Sequence, residues 1–225
     1  NCLPTFLCVF TMTNKLTIGC EFFPPKTDKG IANMRDVRQQ LAPLKPEFYS
    51  VTFGAGGSTQ DNTLNAVVEI QQAHAITGID AAPHLSCVGS TAERMRDMLT
   101  TYQSHGIKRI VALRGDLPSG MRDPGAFRYA NELVEFIRQE TGDYFTIEVA
   151  AYPEVHPQAA SAQVDFTNFK RKVDAGANSA LTQYFYNIDS YLYFIDRCQK
   201  NGIDIPIIPG IMPINNFSQL ARFSD

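Results

Sequence analysis

Residues 80–113 contain a complete strand–helix–strand pattern. Asp80-Ala-Ala-Pro-His-Leu85 is a short apolar run, Ser90-Thr-Ala-Glu93 has the chemistry of a helix N-terminal cap, and Lys108-Arg-Ile-Val-Ala-Leu113 is a second apolar run. Gly106 stands where the helix between the two runs should end, because glycine accepts the backbone conformation of a helix C-terminus. Two strands joined in this way form a right-handed βαβ unit. The pattern predicts a parallel α/β fold.

The same alternation extends over most of the chain. We predict strands at residues 16–22, 47–53, 80–85, 108–113, 146–151, 178–182 and 205–209. We predict helices at residues 28–42, 59–77, 91–104, 125–140, 159–175, 188–201 and 215–224, with Asp189 or Ser190 capping the sixth. Such alternation leaves an open doubly wound sheet or a closed barrel. Polar residues follow the strands, as in barrels, and no GxGxxG or GK[ST] motif occurs. The position of the polar residues therefore favours a closed barrel over an open sheet, with seven strands counted in this chain.

Composition excludes several classes of function. The chain has 225 residues, a net charge of −3 and five cysteines. Without a basic face or an apolar run of about 18 residues, we expect no nucleic-acid partner and no membrane partner. Without CxxC pairs or zinc spacing, we expect free thiols, no metal site and a cytoplasmic location. We expect residues 1–11 to be a non-native or disordered extension before Met12, and residues 12–225 to form a single barrel domain.

Polar side chains end six of the predicted strands. Two phenylalanines and two prolines follow Glu21, and we expect them to raise the pKa of its carboxyl and to suit it to general acid catalysis. The other groups are Thr52, His84, Arg114 with Asp116, Tyr152 and Gln183. On the helix after Tyr152, one face carries Asp165, Asn168 and Lys172. Such a face is typical of a pyrophosphate site or of a solvated charged surface. Each group alone also has a structural explanation, but together they indicate a site at one rim.

Eight blocks in the same order resemble methylenetetrahydrofolate reductase of the bacterial type. They are Glu21-Phe-Phe-Pro-Pro25, Ser50-Val-Thr-Phe-Gly-Ala55, Ala82-Pro-His-Leu-Ser-Cys87, Val111-Ala-Leu-Arg-Gly-Asp-Leu-Pro118, Ala150-Ala-Tyr-Pro-Glu-Val-His-Pro157, Lys172-Val-Asp-Ala-Gly-Ala177, Thr182-Gln-Tyr-Phe185 and Pro209-Gly-Ile-Met-Pro-Ile214. The resemblance implies a flavoprotein oxidoreductase on an α/β fold, the (β/α)8 TIM barrel, with only about seven βα units present in this chain. With FAD, and with NADH or NADPH as reductant, it would reduce 5,10-methylenetetrahydrofolate to 5-methyltetrahydrofolate in a ping-pong reaction. That reaction belongs to one-carbon metabolism and methionine biosynthesis.

The resemblance also implies roles for single residues. Glu21 resembles the general acid, and Asp116 resembles the carboxylate that stabilises a cationic form of the substrate. The positions that resemble FAD contacts are Phe53, Ala55, His84, Arg114, Gly115, Asp116, Ala130, Tyr152, His156, Ala159, Asp165, Asn168, Arg171 and Lys172. The positions that resemble contacts of the folate or of the nicotinamide cofactor are Thr52, Asp116, Gln183, Gln219 and Phe223. Phe53 stands where the family usually has tyrosine.

The family pattern continues beyond the last residue of this chain. It has a further strand, further helices and an arginine that contacts folate. We therefore expect a chain that is incomplete before strand eight, with impaired folate turnover, and a homo-oligomer at full length. Two alternatives stay open: a flavin- or folate-binding protein without catalysis, and another TIM-barrel lyase. A Schiff-base aldolase needs a lysine at the carboxyl end of a strand, whereas Lys108 begins its strand.

Overall fold

The computed structural model describes residues 18–53, 57–115 and 125–212, with only the backbone described at 57–59. These ranges contain seven strands and seven helices. One helix connects each strand to the next, except that two helices lie between the second and third strands. The strands are β1 Gly19–Phe22, β2 Phe48–Val51, β3 Asp80–Ser86, β4 Arg109–Leu113, β5 Thr146–Ala151, β6 Ser179–Thr182 and β7 Ile207–Ile208. The helices are α1 Asp28–Leu41, α2 Gly57–Gln72, α3 His74–Thr77, α4 Ala92–Ser104, α5 Ala130–Thr141, α6 Ala162–Asp174 and α7 Ile188–Lys200, and a 3-10 turn, Ala42–Leu44, follows α1.

The strands form one parallel sheet in chain order, from β1 to β7. Each strand pairs with the next through a parallel ladder, beginning with Glu21 beside Ser50 and Ser50 beside Ala82. The carboxyl ends of all seven strands therefore lie along the same edge, and the sheet curls into a partial barrel with the helices outside. This confirms the predicted barrel architecture, with seven parallel strands in the described part of the chain.

The two faces of the sheet have different cores, because successive side chains of a strand point to opposite faces. The larger core lies between the sheet and the helices and includes Leu85 and Ile147, neither of which is exposed. The concave face has a small core of Phe48, Ala82 and Val111. Apolar packing on the concave face thus occupies the amino-terminal and middle parts of the strands and leaves room at their carboxyl ends.

A network of charged groups closes the amino-terminal end of the concave face. The guanidinium of Arg109 forms ion pairs with Glu47 and Glu148 and lies 4.7 Å from the ring centre of Phe48. Glu148 has no exposed surface, and it also accepts a hydrogen bond from the hydroxyl of Ser179. Because these partners fill this end, the opening for a ligand is at the opposite end of the strands.

Of two helix caps predicted from the sequence, one is confirmed by the structure and one is wrong. The hydroxyl of Thr91 accepts a hydrogen bond from the backbone N–H of Arg94, which confirms the predicted cap of α4. The predicted cap of α7 by Asp189 or Ser190 is wrong. The side chain of Asn187 accepts from the N–H of Asp189, so the cap lies two residues before Asp189 and three before Ser190.

Two helices differ in extent from their predictions. The helix predicted at 59–77 is divided, because the N–H of Ala73 bonds to the carbonyl three residues before it and closes the last turn of α2. The helix predicted at 125–140 begins only at Ala130. There the carboxylate of Glu132 accepts hydrogen bonds from the N–H groups of Arg128 and Tyr129, which sets the start of α5. None of the described helices combines the length and the apolar character needed to cross a lipid bilayer.

Candidate active site

A cavity of about 750 Å³ opens at the carboxyl ends of the strands. Its volume falls within the range of roughly 300–1,000 Å³ that is typical of small-molecule sites. The described residues that line it are Glu21, Phe23, Thr52, Phe53, Gln60, His84, Ser86, Val88, Gly89, Ser90, Arg94, Val111, Leu113, Gly115, Ala150, Tyr152, Leu181, Thr182 and Gln183. Aromatic and aliphatic surfaces alternate with hydroxyl and amide groups, so the cavity suits a flat heterocycle with polar edges.

Seven of the residues singled out in the sequence meet in this cavity. They are Glu21, Thr52, Phe53, His84, Gly115, Tyr152 and Gln183. They come from six strands, β1 to β6. Glu21 and His84 lie on β1 and β3, and the others lie one or two residues beyond the ends of their strands. The expected convergence at one rim follows from the common direction of the strands.

Glu21 and His84 contact each other in the wall of this cavity. Oε2 of Glu21 lies 3.3 Å from Nε2 of His84, and the two side chains are 54% and 9% exposed. Hydrogen bonding to His84 lowers the pKa of the Glu21 carboxyl, against the opposing effect of burial, and the charge of His84 lowers it further. The sequence-based expectation of a raised pKa is therefore wrong for the open cavity. Phe23 is 69% exposed and does not shield the carboxylate, and the imidazole outweighs desolvation.

The backbone after β4 forms one wall of the cavity. The carbonyl of Arg114 accepts a hydrogen bond from the hydroxyl of Ser86 at 3.0 Å, and its side chain donates to Gln158 at 2.6 Å. Gly115 has a φ of 82°, and a Cβ at this position would lie 1.9 Å from Oγ of Ser86. Only glycine fits here, so bare backbone faces the cavity.

The loop after β5 is tied to α6. The rings of Tyr152 and His156 contact each other edge to face with centres 4.5 Å apart. The N–H of His156 donates to Oδ2 of Asp165 at 3.0 Å, and Nδ1 of the same histidine accepts from the N–H of Gln158. Through these contacts, a residue of α6 holds the loop that carries Tyr152.

The polar residues predicted on one face of α6 have separate partners. Lys172 reaches under β5, where its ammonium donates to the carbonyl of Ala150 at 2.5 Å. Although part of this side chain is accessible, burial of the ammonium lowers the pKa of Lys172 to about 8, and the carboxylate of Asp165 partly opposes this shift. Arg171 instead bonds to Asn168 and lines a separate groove of about 580 Å³ between α5 and α6.

The remaining expected site residues do not line the cavity or are not described. Ala130 is the first residue of α5, and Ala159 lies in the loop before α6. The expectations for Ala55, Asp116, Gln219, Phe223, the extension at residues 1–11 and the helix at 215–224 fall outside the described residues.

Several lining residues were not singled out in the sequence. Ser86 lies two residues after His84 on the same strand, so strand alternation could have identified it. Gln60 and Arg94 come from α2 and α4 and bond to each other side chain to side chain. No local pattern connects these two positions, which are 34 residues apart.

The fold and the site define a (β/α)-barrel protein with a polar small-molecule site at the carboxyl ends of its strands. The chain belongs to the methylenetetrahydrofolate reductase family, whose model matches residues 9–225. It is 47% identical over 211 residues to 5,10-methylenetetrahydrofolate reductase of Escherichia coli strain K12, covering 94% of this chain and 69% of that protein. It is 41% identical over 217 residues to the rice protein named "Probable methylenetetrahydrofolate reductase (NADH)", covering 91% of this chain and 36% of that protein.

Solved structures support the architecture. A phosphonopyruvate hydrolase in complex with oxalate and Mg²⁺ matches with a TM-score of 0.57 at 13% identity, covering 86% of this chain and 66% of that one. Oxaloacetate acetylhydrolase matches with a TM-score of 0.54 at 10% identity, covering 92% and 78%. At such low identity the likeness concerns the fold alone.

Proposed function

We propose that the protein is a flavoprotein that reduces 5,10-methylenetetrahydrofolate to 5-methyltetrahydrofolate, with FAD as cofactor and NADH as reductant. Membership of the reductase family supports the substrate. The printed name of the rice relative supports NADH. The observation that carries the proposal is the position of Glu21, a carboxyl group inside the cavity at the barrel rim with an imidazole as its partner.

The described residues are compatible with a bound flavin. The cavity has the size of a small-molecule site and offers the rings of Phe53 and Tyr152 to a flat heterocycle. The bare backbone at Gly115 permits close approach of a ligand. A bound flavin supplies hydride transfer between the nicotinamide and the folate, while the protein supplies orientation and charge.

Glu21 would act on the folate as a general acid. A proton from its carboxyl goes to the folate nitrogen that holds the methylene bridge, so that the bridge opens to an iminium cation. By the family resemblance, Asp116 would stabilise this cation through its negative charge. The amide of Gln183, which lines the cavity, can both donate to and accept from the edge of the pterin.

Absorption spectroscopy without oxygen tests the proposal directly. We expect the purified protein to be yellow, NADH to bleach the colour, and methylenetetrahydrofolate to restore it. In a version extended to the full family pattern, bleaching without recovery on addition of the folate would contradict the proposed substrate. Colour that NADH does not bleach indicates a binding protein without catalysis, and colourless protein leaves the lyase alternative.

Glu21→Gln separates the two half-reactions. It keeps size and hydrogen bonding but removes the proton that the folate step needs, so folate reduction should fall by roughly 10²–10⁴-fold. Reduction of the flavin by NADH needs no such acid and should fall far less. Equal losses in the two half-reactions, measured by stopped flow, would be incompatible with a general acid at Glu21.

A further inference from the structure

The contact between Glu21 and His84 joins two titratable groups from β1 and β3. Nε2 of His84 is buried, and no described group gives it a well-aligned hydrogen bond. The carboxylate of Glu21, 3.3 Å away, is the ion-pair partner that this nitrogen faces in the described structure. A nearly buried imidazole is thus directed at the carboxyl group proposed as the acid.

Few other ionisable groups surround this pair. In the described lining of the cavity, the others are Arg94 on α4 and Tyr152 after β5. The guanidinium of Arg94 bonds to Gln60, and the ring of Tyr152 packs on that of His156. Among the described residues, the charge that acts on the carboxyl of Glu21 comes from His84.

Such a pair can hold one proton in two arrangements, which titrate as a unit. One is a carboxylate beside an imidazolium, and the other is a carboxylic acid beside a neutral imidazole. Water favours the charged arrangement, and the carboxylate of Glu21 is half-exposed in the open cavity. Exclusion of water favours the neutral arrangement, because burying two charges costs more than burying two hydrogen-bonded neutral groups. A substrate that covers the pair would therefore move the proton from the imidazole to the carboxyl.

We propose that His84 is a positioning residue that stores the proton which Glu21 delivers to the substrate. This inference rests on the proposed function. The proton passes from Nε2 of His84 to Oε2 of Glu21 and then to the folate nitrogen. The bond between that nitrogen and the methylene carbon breaks, and its electron pair binds the proton. His84 is left neutral, the carboxylate is regenerated, and the imidazole regains a proton from water. In this way a carboxyl whose pKa is lowered in the open cavity can still serve as an acid.

Titration of the Glu21 side chain by carbon NMR tests the pairing without any cofactor or substrate. In His84→Gln, and in His84→Asn as a second variant, we expect the pKa of Glu21 to rise above its value in the unmodified protein, because burial then acts without the imidazole. Ser86→Ala is the matched control. It removes a hydrogen bond from the same face of β3 but leaves His84 in place, so the titration of Glu21 should not move. A titration of Glu21 that is the same in the folded histidine variants and in the unmodified protein overturns the inference.

Single-turnover kinetics test the delivery of the proton. The rates of the folate step and of the flavin-reduction step are measured between about pH 6 and pH 9, and the first is divided by the second. At the alkaline end, we expect this ratio to be about 10- to 100-fold lower in His84→Gln than in the unmodified protein. In the variant, Glu21 must take its proton directly from water, and its protonated fraction rises by up to about tenfold for each pH unit that the pH falls. The loss should therefore shrink by up to about tenfold per pH unit as the pH falls. The same pH profile in His84→Gln and the unmodified protein overturns the role of His84. An unmodified protein that reduces no folate overturns the proposed function instead, while the NMR titration still decides whether the two residues are paired.

Discussion

Glu148→Gln probes the buried charges at the amino-terminal end of the barrel. Glu148 is fully buried, and its partner Arg109 has a side chain that is only 11% exposed. The substitution preserves the shape of the side chain, removes the negative charge and replaces one acceptor oxygen with an N–H donor group. The guanidinium then keeps Glu47 as its remaining carboxylate, and that side chain is 46% exposed. The buried positive charge is therefore only partly compensated.

The expected cost follows from these contacts. Breaking a buried ion pair by removing one partner typically costs about 3–5 kcal/mol. Because the amide oxygen of glutamine can still accept from Arg109, and its amide N–H can donate to the hydroxyl oxygen of Ser179, the lower end applies. We therefore expect the free energy of unfolding to fall by about 3 kcal/mol. With a urea dependence of about 2–3 kcal/mol per molar, the unfolding midpoint should fall by about 1 M.

Urea unfolding followed by circular dichroism measures this shift. Glu140→Gln is the matched control, since Glu140 pairs with Arg96 at 2.7 Å on the surface, where Arg96 is half-exposed. Its midpoint should move much less, because water screens an exposed pair. The double variant Arg109→Met with Glu148→Leu should regain most of the lost stability, because an apolar pair needs no compensation. Equal midpoint shifts for Glu148→Gln and Glu140→Gln would refute the reasoning.

Three further predictions concern a buried lysine, a glycine and a helix cap. Lys172 has a pKa of about 8 when folded and the higher ordinary value when unfolded, so the unfolded chain binds more protons between about pH 8 and pH 10.5. The stability of the protein relative to Lys172→Met should therefore rise with pH across that window, and a flat difference in urea midpoints would contradict it. Gly115→Ala should lower the melting temperature and the flavin content more than Gly78→Ala. Both glycines have a positive φ, but only at Gly115 would the added Cβ meet another side chain. Equal effects of the two substitutions would show that this close contact does not matter. Asn187→Ala should cost about 1 kcal/mol of unfolding free energy and Ser190→Ala almost nothing, and the reverse order would restore the cap predicted from sequence.

Local sequence patterns were sufficient to predict the alternation of strands and helices and the parallel sheet. Apolar runs of five or six residues, cap chemistry and terminal glycines act over a few positions, so their effect can be seen in the sequence. Gly106, for example, stands at the predicted end of α4 with a φ of 73°. The parallel direction of the strands then brought Glu21, His84 and Gln183 to one rim, as expected.

The wrong prediction for the pKa of Glu21 shows that local sequence patterns do not predict contacts between different strands. Its neighbours in sequence predicted an apolar environment, but Phe23 is largely exposed. The partner that lowers the pKa of the carboxyl is His84, which lies on another strand. Nothing near Glu21 in the sequence identifies this imidazole as its neighbour.

The sequence by itself determined the order of strands and helices, the end of the sheet that carries the polar groups and, through eight blocks in order, the family. The tertiary structure decided which polar groups meet. Register is the physical reason, because Glu21 pairs beside Ser50 and Ser50 beside Ala82, which sets His84 two residues further along the same face. The ion pair of Arg109 with Glu148 and the reach of Lys172 to Ala150 depend in the same way on how neighbouring elements pack. These contacts join residues 22 to 63 positions apart, beyond the range of any helical or strand period.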